Sequence, residues 1–100
     1  MPAVLEEVSI EAPPRLTAEH RVGFRDSALE GLERAAGAGL QALRIDMAGT
    51  EDVDASGLGT LVVLQKRARE RGLSTRLAGT RAQVRSLLAA TKLESLFEFA

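Results

Sequence analysis

The chain has 100 residues, 45% of them hydrophobic and 27% charged, a net charge of −1 and no cysteine. That length suits one domain with its own core. The missing cysteines exclude disulfides, thiolate metal sites and thiol catalysis, and the near-neutral charge argues against a nucleic-acid surface.

Val4 to Glu11 alternates weakly around Val4, Val8 and Ile10 and predicts a strand. Pro13-Pro14 end it, because proline lacks the ladder donor and restricts the residue before it. Thr17 is the expected N-cap of a first helix that starts at Ala18. Its apolar residues Val22, Ala28, Leu29, Leu32, Ala35 and Ala36 recur near helical spacing. Gly37 and Gly39 stop it. From Leu40 to Met47, Leu43, Ile45 and Met47 share one strand face, with Arg44 and Asp46 between them. A second helix follows Ser56 and runs to Arg71, with Leu58, Leu61, Val62 and Ala68 as its stripe. Lys66, Arg67, Arg69 and Arg71 suit the negative end of its dipole, and Gly72 fits the C′ position. That basic run reads first as a solvated helix end and second as a contact for an acidic partner.

Leu73, Thr75 and Leu77 alternate as a third strand. Thr80-Arg81-Ala82-Gln83 reads as a capping box that opens a third helix with a core stripe of Val84, Leu87, Leu88 and Thr91. Thr91 to Glu94 repeats the signature and suggests a short last helix ending near Phe97. Repeated strand–helix alternation calls for an α/β domain over 1–100 with a mostly parallel sheet and helices packed against it. No apolar run approaches the ~20 residues that span a bilayer, so no direct membrane insertion is expected. The acidic start MPAVLEEVSIE is unlike a secretory signal, which makes the cytoplasm the expected location.

The pivot is Asp54-Ala55-Ser56-Gly57-Leu58-Gly59, reached from the carboxyl end of the Ile45 strand, where ligands of parallel sheets bind. Ser56, or Asp54 before it, can cap the second helix. Gly57 and Gly59 leave Ser56 without shielding side chains. A bare hydroxyl at the positive end of a helix is a good place to receive a phosphate. Glu51, Asp52 and Asp54 form an acidic loop that favours the helix dipole or serves as a docking patch, and Asp54 can instead orient the Ser56 hydroxyl toward an incoming γ-phosphate. They lack Ca²⁺-loop spacing, and no metal or other cofactor is expected. Asp54 stands where a hydrolase elbow needs glycine, and His20 is the chain's one histidine, so nothing asks for hydrolysis.

Asp54-Ala55-Ser56-Gly57-Leu58 resembles the Asp-Ser-Ser/Thr-Gly-Leu signature of STAS domains, the anti-sigma-factor antagonist family. Ile45-Asp46-Met47 is similar to the strand before that signature, and Val84 to Leu88 with Leu93 to Phe97 to the closing helix and tail. The resemblance implies a non-enzymatic protein-binding switch. It places a phosphorylatable residue at Ser56 and a docking surface on Glu51, Asp52, Asp54, Ser56, Gly57, Leu58 and Gly59. The implied partner is an anti-sigma-factor or serine kinase-like protein that brings its own ATP and Mg²⁺, with this chain a monomer or weak homodimer. The alternative is a constitutive, unphosphorylated accessory subunit of an ABC-type ATPase or signalling assembly. A third is a nucleotide-binding STAS domain. One departure stands out. Many STAS domains carry a second N-terminal strand and a Gly-x-Leu-Asp turn before the first helix, where this chain has Pro13-Pro14-Arg15-Leu16-Thr17.

Overall fold

The computed structural model describes residues 6–100. Its strands are β1 (Glu7–Glu11), β2 (Arg15–Leu16), β3 (Ala42–Asp46), β4 (Asp52–Val53), β5 (Ser74–Ala78) and β6 (Glu98–Phe99); its helices are α1 (Arg21–Gly37), α2 (Ala55–Glu70) and α3 (Ala82–Ala90), with a 3₁₀ turn at Glu94–Leu96. Four strands form one sheet in the order β1-β3-β5-β6, every neighbour parallel. The expected α/β architecture is therefore present. The Val4 end of the first expected strand lies outside the described residues.

Register explains which face of the sheet the helices cover. Val8 pairs with Leu43 and Leu43 with Thr75; Ile10 pairs with Ile45 and Ile45 with Leu77. Because side chains alternate along a strand, these rows share one face. Leu43, Ile45 and Leu77 join Phe24, Ala28 and Leu32 of α1, Leu58, Leu61 and Leu64 of α2, and Val84 and Leu88 of α3 in a single core. The opposite face is polar, with Arg44 beside Arg76. The Glu7 carboxylate accepts from the Arg76 guanidinium at 3.3 Å.

The three helices end alike. Leu40, Leu73 and Leu93 donate from their backbone N–H groups to the carbonyls of Ala35, Ala68 and Leu88. Each closure needs a left-handed residue at C′, supplied by Gly39 (φ 74), Gly72 (φ 76) and Lys92 (φ 59).

Helix starts depart from expectation. Thr17 does not cap α1; His20 stands at its N-cap without a side-chain cap bond, and the Thr17 carbonyl closes a turn by accepting from His20 and Arg21. Val22 faces solvent at 46% exposure and is no core residue. Arg81, not Thr80, precedes α3, and the Thr80 hydroxyl is buried without a partner among the described residues. The expected short last helix is present as the 3₁₀ turn Glu94–Leu96, which ends at Phe97, but Leu93 precedes it and Thr91 is exposed and caps nothing there. Its hydroxyl donates back to the carbonyl of Leu87 at 2.8 Å, which ends α3.

Candidate functional site

The second sheet, β2 paired parallel with β4, sits between the end of β1 and the start of α2. A second N-terminal strand is thus present at Arg15–Leu16, within the Pro13–Thr17 segment expected to replace it, and no periodicity marks it because each strand is two residues long. It forms because the Pro13-Pro14 segment leaves carbonyls that the β3–α2 loop satisfies. The hydroxyl of Thr50, fully buried, donates to the Pro13 carbonyl at 2.9 Å. The backbone N–H of Glu51 donates to the Pro14 carbonyl at 2.8 Å, and that of Asp54 to Leu16 at 3.3 Å. Thr50, Pro13, Pro14 and Leu16 thus hold the loop, and sequence reasoning did not single out Thr50 or Leu16 for it. The Pro-Pro pair was the one available signal, and it reads as a strand stop.

From the other side, Arg81 donates its Nε to the Ala48 carbonyl at 3.2 Å, and Gln83 its side-chain amide to the Glu51 carbonyl at 3.4 Å. The loop from Ala48 to Asp54 is thus clamped between β2 and the start of α3, and α2 begins from a fixed point.

Asp54 is the N-cap of α2. One carboxylate oxygen accepts from Gly57 N–H at 2.8 Å and the other from Ala18 N–H at 3.1 Å. These bonds, Gly57 first, hold its carboxyl below the ordinary aspartate pKa, against a smaller opposing effect of desolvation. The side chain thereby ties the approach to α1 onto the start of α2. It is committed to backbone groups and is not turned to the Ser56 hydroxyl.

Of the two candidate caps, Asp54 therefore fills the role and Ser56 does not. Ser56 lies in the first turn, half-exposed, and its hydroxyl makes no hydrogen bond among the described residues. Its carbonyl accepts from the Thr60 hydroxyl at 3.0 Å.

The remaining site residues divide between surface and support. Glu51, Asp52 and Gly59 are exposed, and a Cβ on Gly59 would meet nothing within 4 Å. Asp52 faces Arg15 at 3.5 Å, both well exposed, a pair of little energetic weight. Gly57 is buried: a Cβ there would overlap the Leu16 carbonyl oxygen and come within 3.0 Å of Val53 Cγ1. Its lack of a side chain admits β2 of its own chain. Leu58 is 8% exposed and belongs to the core, where it anchors the helix beneath Ser56. No group of three or more His, Cys, Asp or Glu side chains converges among the described residues. No described helix is long and apolar enough to cross a membrane.

The family model described as "STAS domain" matches residues 10–100. A crystal structure of a candidate anti-sigma factor antagonist from Thermotoga maritima superposes with a TM-score of 0.79 at 20% identity, covering 96% of this chain and 80% of that one. An NMR structure of the same protein gives a TM-score of 0.75 at 18% identity, over 99% and 77%. No curated protein matches the sequence.

Proposed function

The chain belongs to the STAS domain family, and from that premise we propose that it is a non-enzymatic, cytoplasmic protein-binding switch whose state is set by phosphorylation of Ser56. The observation that carries this reading is the division of labour at the start of α2. Asp54 caps the helix, so the fold makes no use of the Ser56 hydroxyl. A serine spent on capping would cost the fold a bond when modified; this one is free to react.

The partner is a serine kinase of the anti-sigma type that supplies ATP and Mg²⁺. Ser56 Oγ attacks the γ-phosphorus, ADP departs, and the hydroxyl proton passes to a base on the partner. The product adds about −1.5 to −2 charge next to Glu51, Asp52 and Asp54. Docking would desolvate that charge, which costs several kcal/mol if it stays unpaired. The helix N-terminus returns only ~0.3–2 kcal/mol to the phosphate, enough to keep α2 formed and too little to restore docking.

Peptide mapping after incubation with the kinase and ATP tests the assignment. Phosphate at Ser56 is expected, and phosphate at another Ser or Thr with Ser56 untouched would overturn it. The constitutive-subunit reading predicts no phosphate on protein isolated from its own cells.

A further inference from the structure

Residues 17–20 join β2 to α1 between two anchors in the core. Leu16 is fully buried on one side and Phe24 is buried on the other. Between them Thr17 is half-buried, and Ala18, Glu19 and His20 are exposed. The Thr17 carbonyl accepts from the backbone N–H groups of His20 and Arg21, a turn closed within the connection itself. The tie to α2 is the Ala18 N–H, which donates to Asp54 Oδ2 at 3.1 Å. Asp54 Oδ1 holds the Gly57 N–H at 2.8 Å, and the Ser56 N–H also turns to this carboxylate. One exposed carboxylate therefore spans two elements. A shallow groove lined by Arg15, Thr17, Ala18, Glu19 and Asp54 lies along their junction.

We infer that Asp54 is a latch that phosphorylation of Ser56 opens, releasing residues 17–20 from the start of α2. The inference rests on the proposed function and adds a change of shape to the change of charge. A phosphate on Ser56 stands two residues from Asp54, beside the amides of Ser56 and Gly57. Both anions are drawn to those amides, which belong to the unpaired N–H groups of the first helical turn. The phosphate brings three acceptor oxygens and about −1.5 to −2 charge against the two oxygens and single charge of the carboxylate. The two anions also repel, and Asp54 is exposed, so water receives the carboxylate when it is displaced. Its oxygens move as one rigid group. Turning Oδ1 off Gly57 therefore takes Oδ2 off Ala18. The start of α2 stays capped, by phosphate in place of Asp54, while the Ala18 N–H loses its acceptor.

The test installs phosphoserine at position 56 during translation, so no kinase is needed. Exchange of the Ala18 amide with water is measured by NMR on the ¹⁵N-labelled chain, for wild type and Asp54→Ser, each with and without the phosphate. The hydroxyl of Asp54→Ser can cap α2 but is a single oxygen on a shorter arm, so it gives the untied reference without loss of the helix start. Phosphate should speed Ala18 exchange by about fivefold or more in wild type and change it by less than about twofold in Asp54→Ser. Added negative charge by itself slows base-catalysed exchange, so faster exchange reports opening. Wild-type exchange that phosphate leaves within about twofold would overturn the latch, and the Ser56 reading would stand as a switch of charge alone. An equal rise in Asp54→Ser would also overturn it, because the opening would then bypass Asp54. So would a matching rise at the Leu88 amide of α3, which would mark loosening of the whole fold. Modification of Ser56 by the kinase is decided separately by peptide mapping, and failure there removes the proposed function whatever the exchange shows.

Discussion

Two glycines in the first turns of α2 should respond to the same substitution with opposite signs. A Cβ on Gly57 would overlap the Leu16 carbonyl oxygen and sit 3.0 Å from Val53 Cγ1. The main obstacle is backbone, so relief requires β2 to move off α2. That movement strains the Asp54-to-Leu16 bond of 3.3 Å and the Ala18-to-Asp54 bond of 3.1 Å. Overpacking costs ~1–3 kcal/mol, and replacing helical glycine by alanine returns up to ~1 kcal/mol. Gly57→Ala should therefore destabilise by about 1–2 kcal/mol. On Gly59 the added methyl meets nothing, and the same substitution should stabilise by ~0.5–1 kcal/mol. At ~4–8 °C per kcal/mol for a domain of this size, the two variants should melt roughly 10 °C apart. Calorimetric melts and urea titrations measure the gap. A Gly57→Ala protein as stable as Gly59→Ala would refute the close seat of β2 on α2, and with it the account of how the loop before Ser56 is held.

Asp54→Ala should lower the melting temperature at neutral pH, and the deficit should shrink in acid. The folded-state pKa of Asp54 is depressed, so its contribution is complete above the ordinary aspartate value near ~3.9 and is lost as pH falls through the folded value. Melts of both proteins between neutral pH and the acid limit of folding check this; a deficit that grows in acid would contradict it. Leu58→Ala should cost ~2–5 kcal/mol by urea titration, as for other buried leucines, because Leu58 faces the core. Below its melting temperature it should still accept phosphate at Ser56, and loss of phosphorylation in the folded variant would make Leu58 a contact residue instead.

The parts of this fold legible in the sequence are those whose signal is local and repeated. The alternation of Leu43, Ile45 and Met47, most of the α2 stripe and the glycines at helix ends all reflect one periodicity or one backbone conformation and hold in the structure, except that Leu64 and not Val62 completes the buried face of α2. The small β2–β4 sheet was illegible because its cause is distant: the carbonyls of Pro13 and Pro14 find donors at Thr50 and Glu51. The threonine capping boxes located a helix and a 3₁₀ turn but named the wrong caps, for a related reason. Thr91 bonds back to Leu87 and ends a helix, and the side chain of Gln83 reaches the Glu51 carbonyl instead of a cap. At the site itself, Asp54 and Ser56 were interchangeable as caps by residue type. The geometry separates them, because Asp54 stands at the N-cap and reaches two N–H groups while Ser56 already lies inside the helix.

The measurement that bears most directly on the switch is the affinity of the Ser56 kinase for wild type, Ser56→Ala and Ser56→Asp, read by calorimetry beside thermal melts. The Ser56 side chain makes no hydrogen bond among the described residues, so alanine should shift stability by no more than ~0.5 kcal/mol and keep binding within about tenfold of wild type, near ~1.4 kcal/mol. Aspartate in the first turn favours the helix dipole and should fold at least as well. In the docked state it would be a desolvated charge beside Asp54, and binding should weaken by more than tenfold. Stability that holds or rises while affinity falls is the predicted result. A Ser56→Asp protein that binds as tightly as wild type would contradict the charge switch.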